Sequence, residues 1–242
     1  MLAVAQTNLQ LYNQMLRLEY SDRDLGELRV TYDLARELFS GLFRPSGKTF
    51  IAHLMGTASL LADCLVDIGV VKAGLMHAAY AGGDFGDGKK GVSDFKRHEL
   101  VNTIGNRAEE IVHAYSRQQW PPANVNDFRS LASTNDPVSR DAALVRLANE
   151  LEEYIDLGVC YCNERARRRI ALDQALQYTL TDMARIFDHP VLVTALTDAF
   201  NNASHANVPD VARSQQPSGK SILIPPRTYQ KVMQMVVSRL DK

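Results

Sequence analysis

Apolar residues return every three or four positions along most of this chain and nowhere alternate over a strand's length, which restricts it to packed helices. Leu9, Tyr12 and Leu16 keep this spacing, as do Leu25, Leu28, Tyr32, Ala35 and Phe39, with Ser21 and Asp24 placed as a capping box ahead of them. Ile51, Leu54, Met55, Ala58, Leu61 and Leu65 predict a helix over 49–65, and shorter or similar patterns predict helices over 70–80, 100–117, 141–157, 165–187 and 190–200. The nearest approach to a strand, "SILIPPRTYQ", is broken by Pro225 and Pro226. The expected class is all-α.

Between these segments lie two stretches that read as loops: "AGGDFGDGKKG", with five glycines in eleven residues, and the polar "WPPANVNDFRSLASTND". The chain turns polar again after residue 200. We therefore expect a helical domain over 1–200, then a C-terminal extension over 201–242 made of a polar linker or lid and a last helix over 228–240.

Lys and Arg number 27 against 28 Asp and Glu, so the chain lacks the basic field that nonspecific nucleic-acid binding needs. No apolar run reaches the length of a membrane span, and "MLAVAQTNLQ" lacks the cationic start and long apolar core of a secretory signal. A cytoplasmic protein without nucleic-acid or membrane partners is expected, with an oligomer left open. The three cysteines fit a reducing compartment; Cys160 and Cys162 read as buried small side chains, because the residues after them supply no further zinc ligands.

Gly47-Lys48-Thr49 has the ending of a phosphate-binding loop. The glycine that should open such a loop falls on Leu42, and in the second candidate, "SQQPSGKS", on Ser214; neither follows a strand. Residues 46–48 instead read as a turn between helices, with Pro45 stopping the first. Four residues on from Thr49, His53 sits in an apolar run, and His77 closes the next helix in "AGLMHAAYAGGD". Arg165, Arg167, Arg168 and Arg169 read as a solvated basic face, and Trp120 as a loop anchor.

"FRPSGKTFIAH", "ASLLADCLVDIGVVKAGLMH", "VNTIGNRAEEIVHAYSR" and, more weakly, "ALVRLANELEEYIDL" together resemble the N-terminal hydrolase domain of the RelA/SpoT alarmone enzymes. That family is a branch of the HD superfamily of metal-dependent phosphohydrolases. The resemblance spans about 25–200 and implies an HD-domain-like helical bundle. It matches His53 and His77 to the first two metal-binding histidines, but puts Ala78 and Val145 where the family has ligand aspartates, and Ala81 and Gly82 where it has a catalytic Glu-Asp pair. Two imidazoles without a carboxylate hold a hard divalent ion weakly, so standard alarmone hydrolysis is not expected.

The resemblance further implies a pocket for a small-molecule ligand, around which His53, His77 and Tyr80 are the candidate catalytic residues and Arg44, Lys48 and Asn149 the candidate substrate-binding ones. The leading expectation is an enzyme of acid/base chemistry, in specialised metabolism, with its cofactor, if any, left open. A catalytically inactive module that binds a nucleotide or phosphorylated metabolite is the first alternative. The second is a hydrolase or oxygenase with Mn, Fe or Zn on His53, His77 and Asp84 or Asp87, carboxylates of the glycine-rich loop.

Overall fold

A computed structural model describes residues 3–119, 125–163, 174–215, 220–227 and 229–230. The chain is all-α. Its helices are α1 (Asn8–Arg17), α2 (Asp22–Phe39), α3 (Phe50–Asp63), α4 (Ile68–Met76), α5 (Ala79–Gly82), α6 (Asp94–Ile104), α7 (Asn106–Arg117), α8 (Val125–Ala132), α9 (Pro137–Ile155), α10 (Gly158–Tyr161), α11 (Gln174–Ile186) and α12 (Pro190–His205). Strands β1 (Leu42–Phe43) and β2 (Ile222–Leu223) pair antiparallel, Leu42 opposite Leu223 and Phe43 opposite Ile222. The Arg165–Arg169 cluster, Trp120 and all but two residues of the expected last helix lie outside the described residues.

The capping box forms: the Ser21 side chain accepts from the Asp24 N–H, and the Asp24 carboxylate accepts from the Ser21 N–H at 3.0 Å. The span 100–117 is not one helix. It divides at Gly105, whose φ of +82° suits glycine and ends α6 before α7 begins. The polar stretch 120–136 is not all loop either, because it contains α8. Its prolines and short polar residues mask an eight-residue helix that docks on α9 and α11. The predicted 70–80 helix breaks at His77, which caps α4, so that Tyr80 belongs to the separate turn α5. Where the sequence turns polar after residue 200, α12 continues to His205.

Helix α9 is the axis of the molecule, touching α3, α4, α7, α8, α10, α11 and α12. Ala142, Ala143, Val145, Leu147, Ala148 and Leu151 on it are all fully buried. Being enclosed on every side, α9 buries polar residues as well: Arg146, Asn149, Glu150 and Glu152 are 7% exposed or less. Two glycines set how closely the neighbours approach. A Cβ on Gly74 of α4 would lie 2.3 Å from the Leu61 Cδ1 of α3, and a Cβ on Gly56 of α3 would lie 2.7 Å from the Glu152 Cγ of α9.

Candidate functional site

The turn between β1 and α3 brings two cations to α9. The Arg44 N–H donates to the Lys48 carbonyl at 2.8 Å, and Gly47 closes the turn at φ +91° with its N–H on the Arg44 carbonyl. From this hairpin the Arg44 guanidinium pairs with the Glu153 carboxylate and stacks over Phe50, 5.5 Å from its centroid. The Lys48 ammonium pairs with Glu152 and, at 2.7 Å, with Asp156. Thr49 caps α3, which places His53 one turn into the helix and facing α9.

His53 is fully buried. Its Nδ1 hydrogen-bonds the Glu152 Oε2, the Glu153 Oε1 lies 3.8 Å from the same nitrogen, and its Nε2 is enclosed without a partner. Asn149 comes near enough to favour the charged imidazole, yet makes no bond of ordinary geometry to Nε2. Burial first, then Arg44 and Lys48, hold the His53 pKa well below the usual 6.5. Burial also pushes Glu152 up to about 8, against the pull of Lys48 and Arg44.

One proton therefore decides what this pair is. With Glu152 protonated, its hydroxyl donates to Nδ1 and Nε2 carries the hydrogen; with Glu152 ionised, Nδ1–H donates to the carboxylate and Nε2 presents a lone pair. In the second form the carboxylate orients an imidazole base, as in other His–carboxylate pairs.

His77 stands edge-on to His53, the ring centroids 5.3 Å apart. Its Nδ1–H donates to the Gly74 carbonyl at 2.7 Å, and burial, then the neighbouring His53, keep it neutral. Beyond it the Tyr115 ring lies 5.1 Å away and carries the Arg146 guanidinium on its face at 3.7 Å. Burial pushes the Tyr115 hydroxyl up to about 12.

Of the residues expected from the sequence, Arg44, Lys48, His53 and His77 meet in this cluster. Asn149 borders it and donates to Glu150 at 2.8 Å. Tyr80 is elsewhere: its hydroxyl donates to Glu109 on α7 at 2.5 Å, and Arg97 holds that carboxylate through two bonds of 2.8 Å. The metal alternative with Asp84 or Asp87 is not assembled. Asp84 accepts the Gly86 N–H, while Asp87 accepts the Lys89 N–H and lies 3.4 Å from the buried Lys96 ammonium. The residues at the resembled family's carboxylate positions are apolar and buried, Ala78 at a helix cap and Val145 inside α9, so that family's ligand set does not fit this chain.

The sequence reading missed Glu152 and Glu153. Among the described residues, His53, Glu152 and Glu153 are the group whose ligand atoms lie within 4.8 Å of one another, as a metal site would require. Glu153 follows Arg146, Asn149 and Glu150 at helical spacing, a polar stripe that reads as a solvent face, whereas Glu152 follows Val145 and Ala148 on the apolar face. The available signal was Gly56, a glycine inside an otherwise apolar helix, marking the approach of a bulky group.

A family model described as "Domain of unknown function (DUF6817)" matches residues 35–119. The match takes in Arg44, Lys48, His53, His77 and Tyr80 and stops before α9, which carries the site's carboxylates. No curated protein matches the chain.

Proposed function

We propose that the chain is a divergent relative of the HD-type hydrolases that has become a small-molecule enzyme of acid/base chemistry, with His53 as the proton carrier and Glu152 as its orienting partner. What carries this reading is the buried Nε2 of His53, which has no partner, on a ring whose other nitrogen is fixed by a carboxylate. A buried polar atom without a partner costs roughly 1–3 kcal/mol, and a bound ligand relieves that cost. The meeting of His53 and His77 across α3 and α4 supports the HD-type relationship. Arg44 and Lys48, at the solvent side of the cluster, suit an anionic substrate.

The test is to incubate wild type and His53→Gln with a mixture of small anionic metabolites and follow each compound by mass spectrometry. A compound consumed by wild type and spared by His53→Gln is the expected result. Equal consumption by both would remove His53 from the chemistry. A compound that raises the thermal midpoint without being consumed would make this a binding module.

A second reading, favoured by the convergence of His53, Glu152 and Glu153, places a divalent ion on those three groups. Both carboxylates are already compensated by Arg44 and Lys48, which favours the proton over the ion. Metal analysis of protein purified without chelators separates the two: the acid/base reading expects less than about a tenth of an equivalent. A full equivalent, lost in Glu153→Gln, would establish the ion.

A further inference from the structure

Among the described residues, the exposed side chains of the cluster lie at its hairpin end. Asp156 is 40% exposed, and Arg44 and Lys48 retain 23% and 15%, whereas His53 and Glu152 are sealed at 0% and 2%. A molecule reaching His53 from this side must displace the hairpin that carries Arg44 and Lys48. That hairpin springs from β1, and β1 is clamped by β2. The Ile224 N–H donates to the Gly41 carbonyl at 2.7 Å, and Gly41, at φ +76°, gives the incoming chain room, since a Cβ there would lie 3.0 Å from the Ile224 oxygen.

The clamp is weakly fastened. Two paired residues make a ladder far below what is stable by itself, and Leu223 and Ile224 are 62% and 46% exposed, so little apolar area holds the segment down. The same pairing sits at the base of the turn that supplies both site cations.

We infer that residues 220–224 are a strap controlling access to His53: with β2 seated the hairpin is closed over the site, and with β2 released it swings out and admits the ligand. This rests on reading the Arg44–Lys48 hairpin as the mouth of the proposed site, but its test needs neither a substrate nor turnover.

Leu42 and Leu223 form a non-hydrogen-bonded pair, whose Cα atoms in such ladders lie about 4.5 Å apart, within the range a disulfide spans. The double variant Leu42→Cys/Leu223→Cys therefore locks the strap when oxidised, and Ile224→Pro removes the N–H that fastens it. Diethyl pyrocarbonate, which acylates neutral imidazole, is the probe. Its reaction at His53 is followed by peptide mass spectrometry against the exposed His98 in the same sample.

The lock should slow His53 acylation about tenfold relative to the reduced double variant, and Ile224→Pro should speed it about fivefold over wild type, with His98 unchanged in all. Unaltered His53 rates in both variants would overturn the strap. If the double variant does not fold, Ile224→Pro decides alone, because an exposed two-residue strand can be lost without unfolding the bundle. Failure of the acid/base reading would show as unchanged turnover in His53→Gln and would leave these rates untouched.

Discussion

Glu152 keeps a proton that its surroundings make hard to release, and this gives stability a definite pH signature. The carboxyl rises from its ordinary 4.5 to about 8 in the folded chain, so its contribution is complete below 4.5 and is lost as pH climbs through 8. His53 and His77 are shifted the other way, from 6.5 downward, so their contribution is lost as pH falls below 6.5. Between pH 6.5 and 8 these two, with His113 and His189, which are lowered likewise, still gain stability as the unfolded imidazoles lose their last protons, so the Glu152 effect is read as the difference between wild type and Glu152→Gln. At about 1.4 kcal/mol per pH unit, falling to half of that at pH 8, wild type should lose about 1.5 kcal/mol over that window relative to Glu152→Gln. Urea denaturation of both proteins at the two pH values would show this difference. The same proton governs the imidazole: nitrogen-15 spectra of His53 should show the hydrogen moving from Nε2 to Nδ1 as pH rises through about 8, and a fixed tautomer would count against the coupling. Arg44, Lys48 and His53 came into view together because the resemblance runs through the short stretch "FRPSGKTFIAH" that holds all three. Glu152 and Glu153 did not, because a carboxylate on a helix is ordinarily a surface group, and only enclosure by seven neighbouring helices makes this one interior.

At the scale of elements, the site depends on how closely α3 lies against α9, and Gly56 sets that approach. Gly56→Ala adds a methyl group where the Glu152 side chain now runs, 2.7 Å from its Cγ and Oε1. Overpacking of this kind costs about 1–3 kcal/mol, and the gain of about 1 kcal/mol from replacing a helical glycine offsets part of it. The variant should therefore fold with a modest loss in stability, while its pH slope between 6.5 and 8 matches that of Glu152→Gln. A slope equal to wild type would mean that Glu152 re-seats with the methyl group in place. Helix positions were largely readable from periodicity, but boundaries set by one residue were not. Gly105 splits a continuous apolar pattern because its φ of +82° turns the chain, and α8 hides in a segment whose prolines and asparagines resemble a loop.

Across the whole molecule, stability is concentrated around α9 and thin at the strap. Leu147→Ala, at a fully buried position on the axis, should cost about 2–5 kcal/mol in a denaturant titration and shift a single cooperative transition. Leu223→Ala, at a residue 62% exposed, should stay within about 0.5 kcal/mol of wild type. Equal effects would mean that the strap is integral to the fold. The all-α class was readable from the sequence, whereas of the small sheet only β2 left a trace, inside the stretch "SILIPPRTYQ" set aside for its prolines, and the two residues of β1 left none. The division of charge within the site has a further consequence. Its positive groups, Arg44 and Lys48, ride on the hairpin, and its negative groups, Glu153 and Asp156, joined by Glu152 once it has lost its proton, are fixed to the molecule's rigid axis or just beyond its end. Swinging the hairpin outward pulls opposite charges apart like the plates of a capacitor, so electrical work resists the motion and dissolved salt, by screening that attraction, lowers the resistance.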